Sequence, residues 1–462
     1  MGNSKLSLPV SFFPEVRFYQ RGDFVYFINT KSGTWVALPK YHFKILFSEQ
    51  CSKIYTSQYI AVYEALARNN IIWDFHFNQK NISQEIKPLL VKLQTTGKCN
   101  LNCQYCFNDL AIRDKTMSRE TMHQAVDYCF KNPFAHKKRI LFVVYGGEPL
   151  LERKILFETV QYIRQKSTDA YIGVITNATL LSENDIVFFK ENKVNIIISF
   201  DGLPEFQAQN RHGTIELSGA KQVLRNMMKL HEHNYMYQSC VLCTVTRNMS
   251  SSLLKIVLFL QAHGVVNLEF LPLRMLGTAE GQVKMATNIG AFVKSLKEIT
   301  EAIETGQIQQ IRMRNILRLL MPLETLQTVK GEVGCHRCSA GRNSIAINFD
   351  GSILGCDMIP ENISPIIGDV WNGINFLDKL DKLILPYASD NCKKCLWFQY
   401  CRGGCIGACA SDNGNINSRH VLTCAINKEM YPYLLEKLAT DNGKLREYFN
   451  RSIDSLLYDE VS

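Results

Sequence analysis

The chain has 462 residues, enough for two or three domains with sizeable cores, and its 46% hydrophobic and 21% charged residues describe an ordinary soluble protein. No apolar run approaches the roughly 20 residues that span a bilayer, so a cytoplasmic protein is expected. The formal net charge of +9 is spread along the chain rather than gathered in a tail, which speaks for a solvated surface and against nucleic acid. The 16 cysteines are the outlier, and in a cytosolic chain of this length they point to metal or redox sites rather than to a disulfide framework.

Residues 1–86 read as a small domain of their own. Apolar residues alternate through Val16–Tyr19 and Phe24–Ile28 around the turn Arg21-Gly22-Asp23, and Thr34–Leu38 follows a second turn. Three antiparallel strands are expected, then a helix opened by Pro39 and another over Ser57–Arg68. Phe18, Tyr26 and Trp35 are expected in the core of this unit. The pattern resembles the PqqD-like recognition elements fused to maturases of ribosomally made peptides. That resemblance implies a winged-helix-like α+β domain to whose sheet edge a leader peptide adds as a strand. A structural cap and a DNA-binding winged helix are the competing readings.

Residues 87–290 alternate strand-like and helix-like segments, as a parallel βα arrangement requires. The first strand runs into Cys99, Cys103 and Cys106, spaced C-x3-C-x2-C, with aromatics on both sides of the third. Three thiolates can hold three irons of a [4Fe–4S] cube and leave the fourth open. Half a zinc site is the competing reading of three close cysteines. One βα unit later, Ile140–Tyr145 ends in Gly146-Gly147-Glu148-Pro149; glycines admit a ligand close to the backbone, and the glutamate can accept a bond from an amino group.

Together these motifs resemble the radical SAM enzymes. The resemblance implies a partial (β/α)6 barrel, open to a large substrate, whose open iron binds S-adenosylmethionine (SAM). It also implies that polar residues at strand ends, Thr176, Asn177, Ser199 and Asp201, lie near SAM, with Arg211 near its carboxylate. Cys240 and Cys243 sit two apart on an apolar strand and read as core thiols.

A helical connector, residues 291–330, precedes a second cysteine group in residues 331–462. Cys338 and Cys356 frame Gly351, and Cys392, Cys395, Cys401 and Cys405 follow as C-x2-C-x5-C-x3-C, with Cys424 beyond. This pattern resembles the SPASM domain, which carries auxiliary [4Fe–4S] clusters. The resemblance implies one cluster on Cys338, Cys356 and Cys405, with Cys335 or Cys409 as a fourth ligand or an open iron. It places the other cluster on Cys392, Cys395, Cys401 and Cys424. Asp357, directly after Cys356, matches an aspartate that acts as proton acceptor in anaerobic sulfatase maturases; a polar group bonding nearby backbone is the competing reading.

The expected function is therefore that of a radical SAM oxidoreductase that matures a precursor peptide, drawing electrons from a reductant such as flavodoxin or ferredoxin. The expected product is an intramolecular thioether from a cysteine. Formylglycine formation, carbon–carbon cross-linking and epimerisation use the same parts.

Overall fold

The computed structural model describes residues 12–41, 57–72, 88–108, 112–131, 139–213, 216–325, 340–341, 343–359, 366–374, 390–414, 418–440 and 443–452. Cys335 and Cys338 lie outside the described residues.

The N-terminal strands β1 (Val16–Arg21), β2 (Phe24–Asn29) and β3 (Trp35–Pro39) form an antiparallel sheet in sequence order. Period-two alternation gives this sheet two buried faces. Val25, Phe27, Val36 and Leu38 pack on Leu66 of the helix Ser57–Arg68. Tyr26, Ile28 and Trp35 join the main core. Pro39 pairs with Phe24 as the last strand residue, helix begins directly after it at Lys40, and the remainder of the expected helix lies outside the described residues. Phe18 corrects its expected burial. It is 53% exposed because β1 is an edge strand, and its ring rests edge-on against Phe12 and Phe27.

This sheet docks on the C-terminal part of the chain. Trp35 Nε1 donates to Leu323 O at 3.0 Å, Arg21 pairs with Glu436, and the Tyr19 ring meets Trp397 at 5.8 Å.

The central sheet is built from β4 (Leu89–Thr96), then, past the short β5 (Leu101–Cys103), from β6 (Ile140–Gly146), β7 (Tyr171–Thr176) and β8 (Val194–Ser199). Beyond β9 (Arg211–Gly213), it continues with β10 (Ser239–Val245), β11 (Asn267–Pro272) and the two-residue β12 (Arg312–Met313). Every neighbouring pair from β4 to β12 is parallel, in the order β4-β6-β7-β8-β10-β11-β12. Amphipathic helices cover the outside; that at Glu183–Glu191 starts in a capping box formed by Ser182 and Asp185. The result is the expected α/β partial (β/α)6 barrel.

Two features differ from the sequence reading. The connector is not one helix: Ile289–Glu304 and Arg314–Thr325 are separated by β12, which extends the barrel sheet. The sheet also crosses the expected domain boundary. β13 (Ser344–Ile347) pairs in parallel with β4 and leads through an antiparallel turn into β14 (Ser352–Leu354). Gly351 makes that turn at φ +85°, with the Trp371 ring 2.5 Å from where a Cβ would stand, so only glycine fits there. Among the described residues no helix is long and apolar enough to cross a membrane.

Candidate functional site

The first strand of the barrel delivers the three-cysteine loop to the top of the sheet, and glycine packing holds it there. A Cβ on Gly147 would stand 2.1 Å from Lys98 O, and one on Gly97 1.8 Å from Ile112 O. Gly147 N donates to Thr96 O at 2.8 Å and Glu148 N to Lys98 O at 2.7 Å, locking the Gly-Gly turn to the loop. The loop then pairs as β5 with β9, which sets Cys103 opposite Arg211. From the other side Thr278 closes it: its N–H donates to Cys106 O at 2.9 Å, and its hydroxyl lies 3.0 Å from Gln104 O.

Cys99, Cys103 and Cys106 form no disulfide, are partly buried and face one cavity of about 1530 Å³. Burial pushes the Cys103 thiol up to about 11 against the opposing pull of Arg211, and burial also raises Cys99 although Leu101 N donates to its sulfur at 3.4 Å. Thiols held in this way become good ligands when cationic metal offsets the buried charge. Among the described residues no three His, Cys, Asp or Glu side chains converge on a single ion. A [4Fe–4S] cube instead takes one thiolate on each of separate corners, and the donor set fits that arrangement.

The other expected cofactor residues divide into two layers. Gly146, Gly147, Thr176, Asn177, Ser199 and Arg211 line the cavity. Glu148, Pro149 and Asp201 stand behind that wall, fully or almost fully buried. Glu148 accepts from Thr176 Oγ1 and Asn177 N at 2.7 Å each and from Leu150 N at 3.0 Å. Its carboxylate therefore orders the strand end after β7, and burial raises its pKa despite these donors. Asn177 passes the order on to the cysteine loop, donating to Asn100 Oδ1 at 2.9 Å. Asp201 accepts from Tyr105 OH, from Asn210 Nδ2 at 3.1 Å and from Arg211 Nε at 3.1 Å. The Arg211 guanidinium lies 5.3 Å over the Tyr105 ring and stays protonated; burial opposes its charge, but Asp201 outweighs it.

One consequence is testable at Glu148. All three of its partners donate, so Glu148→Gln forces an N–H against a donor. We expect a loss of about 1–3 kcal/mol in chemical denaturation, the cost of an unsatisfied buried polar group, with weakened SAM binding in calorimetry.

The second cysteine group approaches the same cavity. Cys356 follows β14, and Asp357 reaches across to β4, where Lys92 Nζ donates to its Oδ1 at 2.9 Å and lies 3.3 Å from Oδ2. Burial disfavours the Lys92 charge, but Asp357 more than restores it. Asp357, Lys92, Tyr145 and Arg274 all line the cavity. Arg274 Nη2 donates to Cys405 Sγ at 3.5 Å; burial alone would raise that thiol, and Arg274 turns the shift downward. Cys392, Cys395, Cys401 and Cys424 line a separate pocket of about 80 Å³. The turn after Cys401 runs through left-handed Arg402, Gly403 and Gly404, and Gly403 N donates to Cys401 Sγ at 3.4 Å. Cys409 is buried in the helix Ile406–Asn413, and Cys243 is a core thiol, whereas Cys240 faces the barrel cavity near Arg314.

Lys92, Arg274 and Thr278 escaped the sequence reading. Lys92 carried a signal, being one lysine amid apolar Leu89–Leu93; Thr278 carried none.

Residues 93–255 match the family model of the Radical SAM superfamily. The cysteine-type anaerobic sulfatase-maturating enzyme of Clostridium perfringens (strain 13 / Type A) is 25% identical over 377 residues, covering 76% of this chain and 96% of that protein. The radical SAM cyclopropyl synthase TigE of Paramaledivibacter caminithermalis is 23% identical over 386 residues, 78% of this chain and 76% of that one. Among solved structures, native anSMEcpe with bound AdoMet and Cp18Cys peptide superposes with a TM-score of 0.63 at 22% identity, over 79% of this chain and 99% of that chain. Streptococcus suis SuiB bound to precursor peptide SuiA gives 0.52 at 12% identity, over 90% and 99%. These last two are likenesses of fold.

Proposed function

We propose, for a chain that belongs to the radical SAM superfamily, that it matures a ribosomally made precursor peptide by joining a peptide cysteine to a carbon of another residue as a thioether. The observation that carries this reading is that the three-cysteine loop and Asp357, beside Cys356, face a single cavity. That cavity exceeds the roughly 300–1,000 Å³ of small-molecule pockets, so it has room for a peptide segment beside a cofactor. Cys99, Cys103 and Cys106 would hold the SAM-binding [4Fe–4S] cluster. Cys392, Cys395, Cys401 and Cys424 would hold one auxiliary cluster, and Cys356 and Cys405, with Cys338 and Cys335, the other. When bound, these groups supply a 5′-deoxyadenosyl radical and an electron acceptor.

The chain's own residues do the positioning. Thr176, Asn177, Ser199 and Arg211 orient SAM along the wall that Glu148 and Asp201 stiffen. Asp357, aimed by Lys92, takes the proton that leaves when the substrate is oxidised. The substrate loses two hydrogens, one as an atom and one as a proton with an electron. The β1–β2–β3 sheet offers its edges to a leader segment by strand addition, and a flavodoxin or ferredoxin supplies the reducing electron.

The test is mass spectrometry of a cysteine-bearing precursor peptide encoded beside this gene, incubated anaerobically with reconstituted, reduced protein and SAM. Loss of two hydrogens placed by fragmentation at cysteine is expected. SAM cleavage with an unchanged peptide would reject it as the substrate. A second reading, oxidation of a protein cysteine or serine to formylglycine, is favoured by Asp357 and by the sulfatase-maturating relative. An aldehyde that reacts with hydrazide in place of a thioether would establish it.

A further inference from the structure

The cavity carries an unusual charge balance. Among the described residues that line it, eleven are lysine or arginine and three are aspartate or glutamate. Positive side chains thus outnumber negative ones along this lining, in a chain of formal net charge +9.

That excess is not at the cysteine end. There three of the cations face anions or thiols, Arg211 with Asp201, Lys92 with Asp357 and Arg274 with Cys405, and Arg113 donates to Asn102 Oδ1 at 2.9 Å. It lies deeper in the barrel. Arg314 and Arg318, on the helix after β12, share a single carboxylate, Glu269, and Arg312, in register with Asn267 at the start of β11, lines the same cavity. Arg314 Nε stands 3.4 Å from one Glu269 oxygen, and Arg318 Nη1 stands 3.0 Å from the other. The side chains of Glu269 and Arg314 are 8% and 11% exposed, so their field acts in a poorly screened lumen, whereas Arg318 at 38% remains reachable. Arg139, Lys190 and Lys193 add positive charge at the lower mouth.

Glu269 lies three residues before the end of β11, hence about 10 Å below the strand ends. An extended peptide advances about 3.3–3.6 Å per residue, so about three residues bridge the interval. We propose that the segment of the substrate peptide that enters this barrel is acidic, and that a carboxylate of it is held by Arg318 and Arg314 beside Glu269. Guanidinium forks suit this recognition because they meet a carboxylate with two parallel donors. The inference rests on the peptide-maturase reading and specifies the chemical class of its substrate.

The test uses the full-length protein without reduction or SAM, so that binding is read apart from turnover. A dye-labelled peptide of Glu, Gly and Ser with one cysteine is compared by anisotropy with the same peptide carrying Gln for Glu. We expect the acidic peptide to bind at least about tenfold more tightly at low salt, with the advantage shrinking as ionic strength rises. Arg318→Gln, at a half-exposed position, should remove most of that advantage and leave the Gln peptide unaffected. Equal affinities for the two peptides, or an advantage untouched by Arg318→Gln, would overturn the inference. So would inorganic phosphate or glutarate binding with Arg318 sensitivity while the peptides do not differ, since the site would then take a free anion. Processing of a neutral peptide as well as of an acidic one, seen by mass spectrometry, would overturn the inference alone. Failure to process any peptide would instead remove the reading it rests on.

Discussion

Replacing Cys99, Cys103 or Cys106 by alanine is expected to abolish reductive SAM cleavage, with 5′-deoxyadenosine falling to the level of protein-free controls. The reason is stoichiometric. Three thiolates leave one iron open, and two leave a cluster that is poorly held and wrongly coordinated. The loop should survive the change, because its backbone is fixed by Thr96, Lys98 and Thr278 rather than by the sulfurs. Each variant should therefore keep its unfolding transition while losing about four irons of the roughly 12 that three cubes contain. Persistent cleavage in any of the three would reject the assignment. Unfolding of all three would mean that the loop depends on its metal for shape.

The second large effect is expected at Asp201. It lies entirely out of contact with solvent and holds Tyr105, Asn210 and Arg211 together. Asp201→Ala leaves the Arg211 charge buried without its counter-ion, and breaking a buried pair in this way costs about 3–5 kcal/mol. Because Arg211 pairs through β9 with Cys103, the damage should reach the cysteine loop. We expect a lowered melting temperature together with a large loss of SAM affinity. Asp201→Asn keeps the shape and one acceptor, so it should recover part of the stability but little of the affinity. Wild-type affinity in the alanine variant would show that Asp201 and Arg211 serve the fold alone.

Much of the barrel was legible in the chain because parallel strands buried on both faces read as short apolar runs, and their polar ends stand out against them. Thr176, Asn177 and Ser199 stand at such ends, and all three line the cavity. What one strand end cannot reveal is depth. Glu148 and Asp201 look like ligand groups in sequence, yet the fold sets them one layer back, where they order the residues that line the cavity. Long-range pairs were equally hidden. Lys92 and Asp357 are 265 positions apart, and only the pairing of β13 with β4 brings them together. The β5–β9 ladder is too short for any periodicity to show, and Thr278 grips the cysteine loop through backbone carbonyls that leave no mark on composition. Phe18 misled for a related reason: an aromatic in a strand reads as core, but an edge position leaves its ring half in solvent.

The central claim is that hydrogen leaves a peptide held in the same cavity as the three-cysteine loop. Its most direct test is to produce the precursor peptide fully deuterated at carbon and incubate it anaerobically with the reconstituted, reduced protein and unlabelled SAM. The 5′-deoxyadenosine is then weighed by mass spectrometry. One deuterium in the nucleoside product for each modified peptide is the predicted result. Unlabelled 5′-deoxyadenosine alongside modified peptide would contradict the claim, since the hydrogen would then have come from somewhere other than the substrate's carbon.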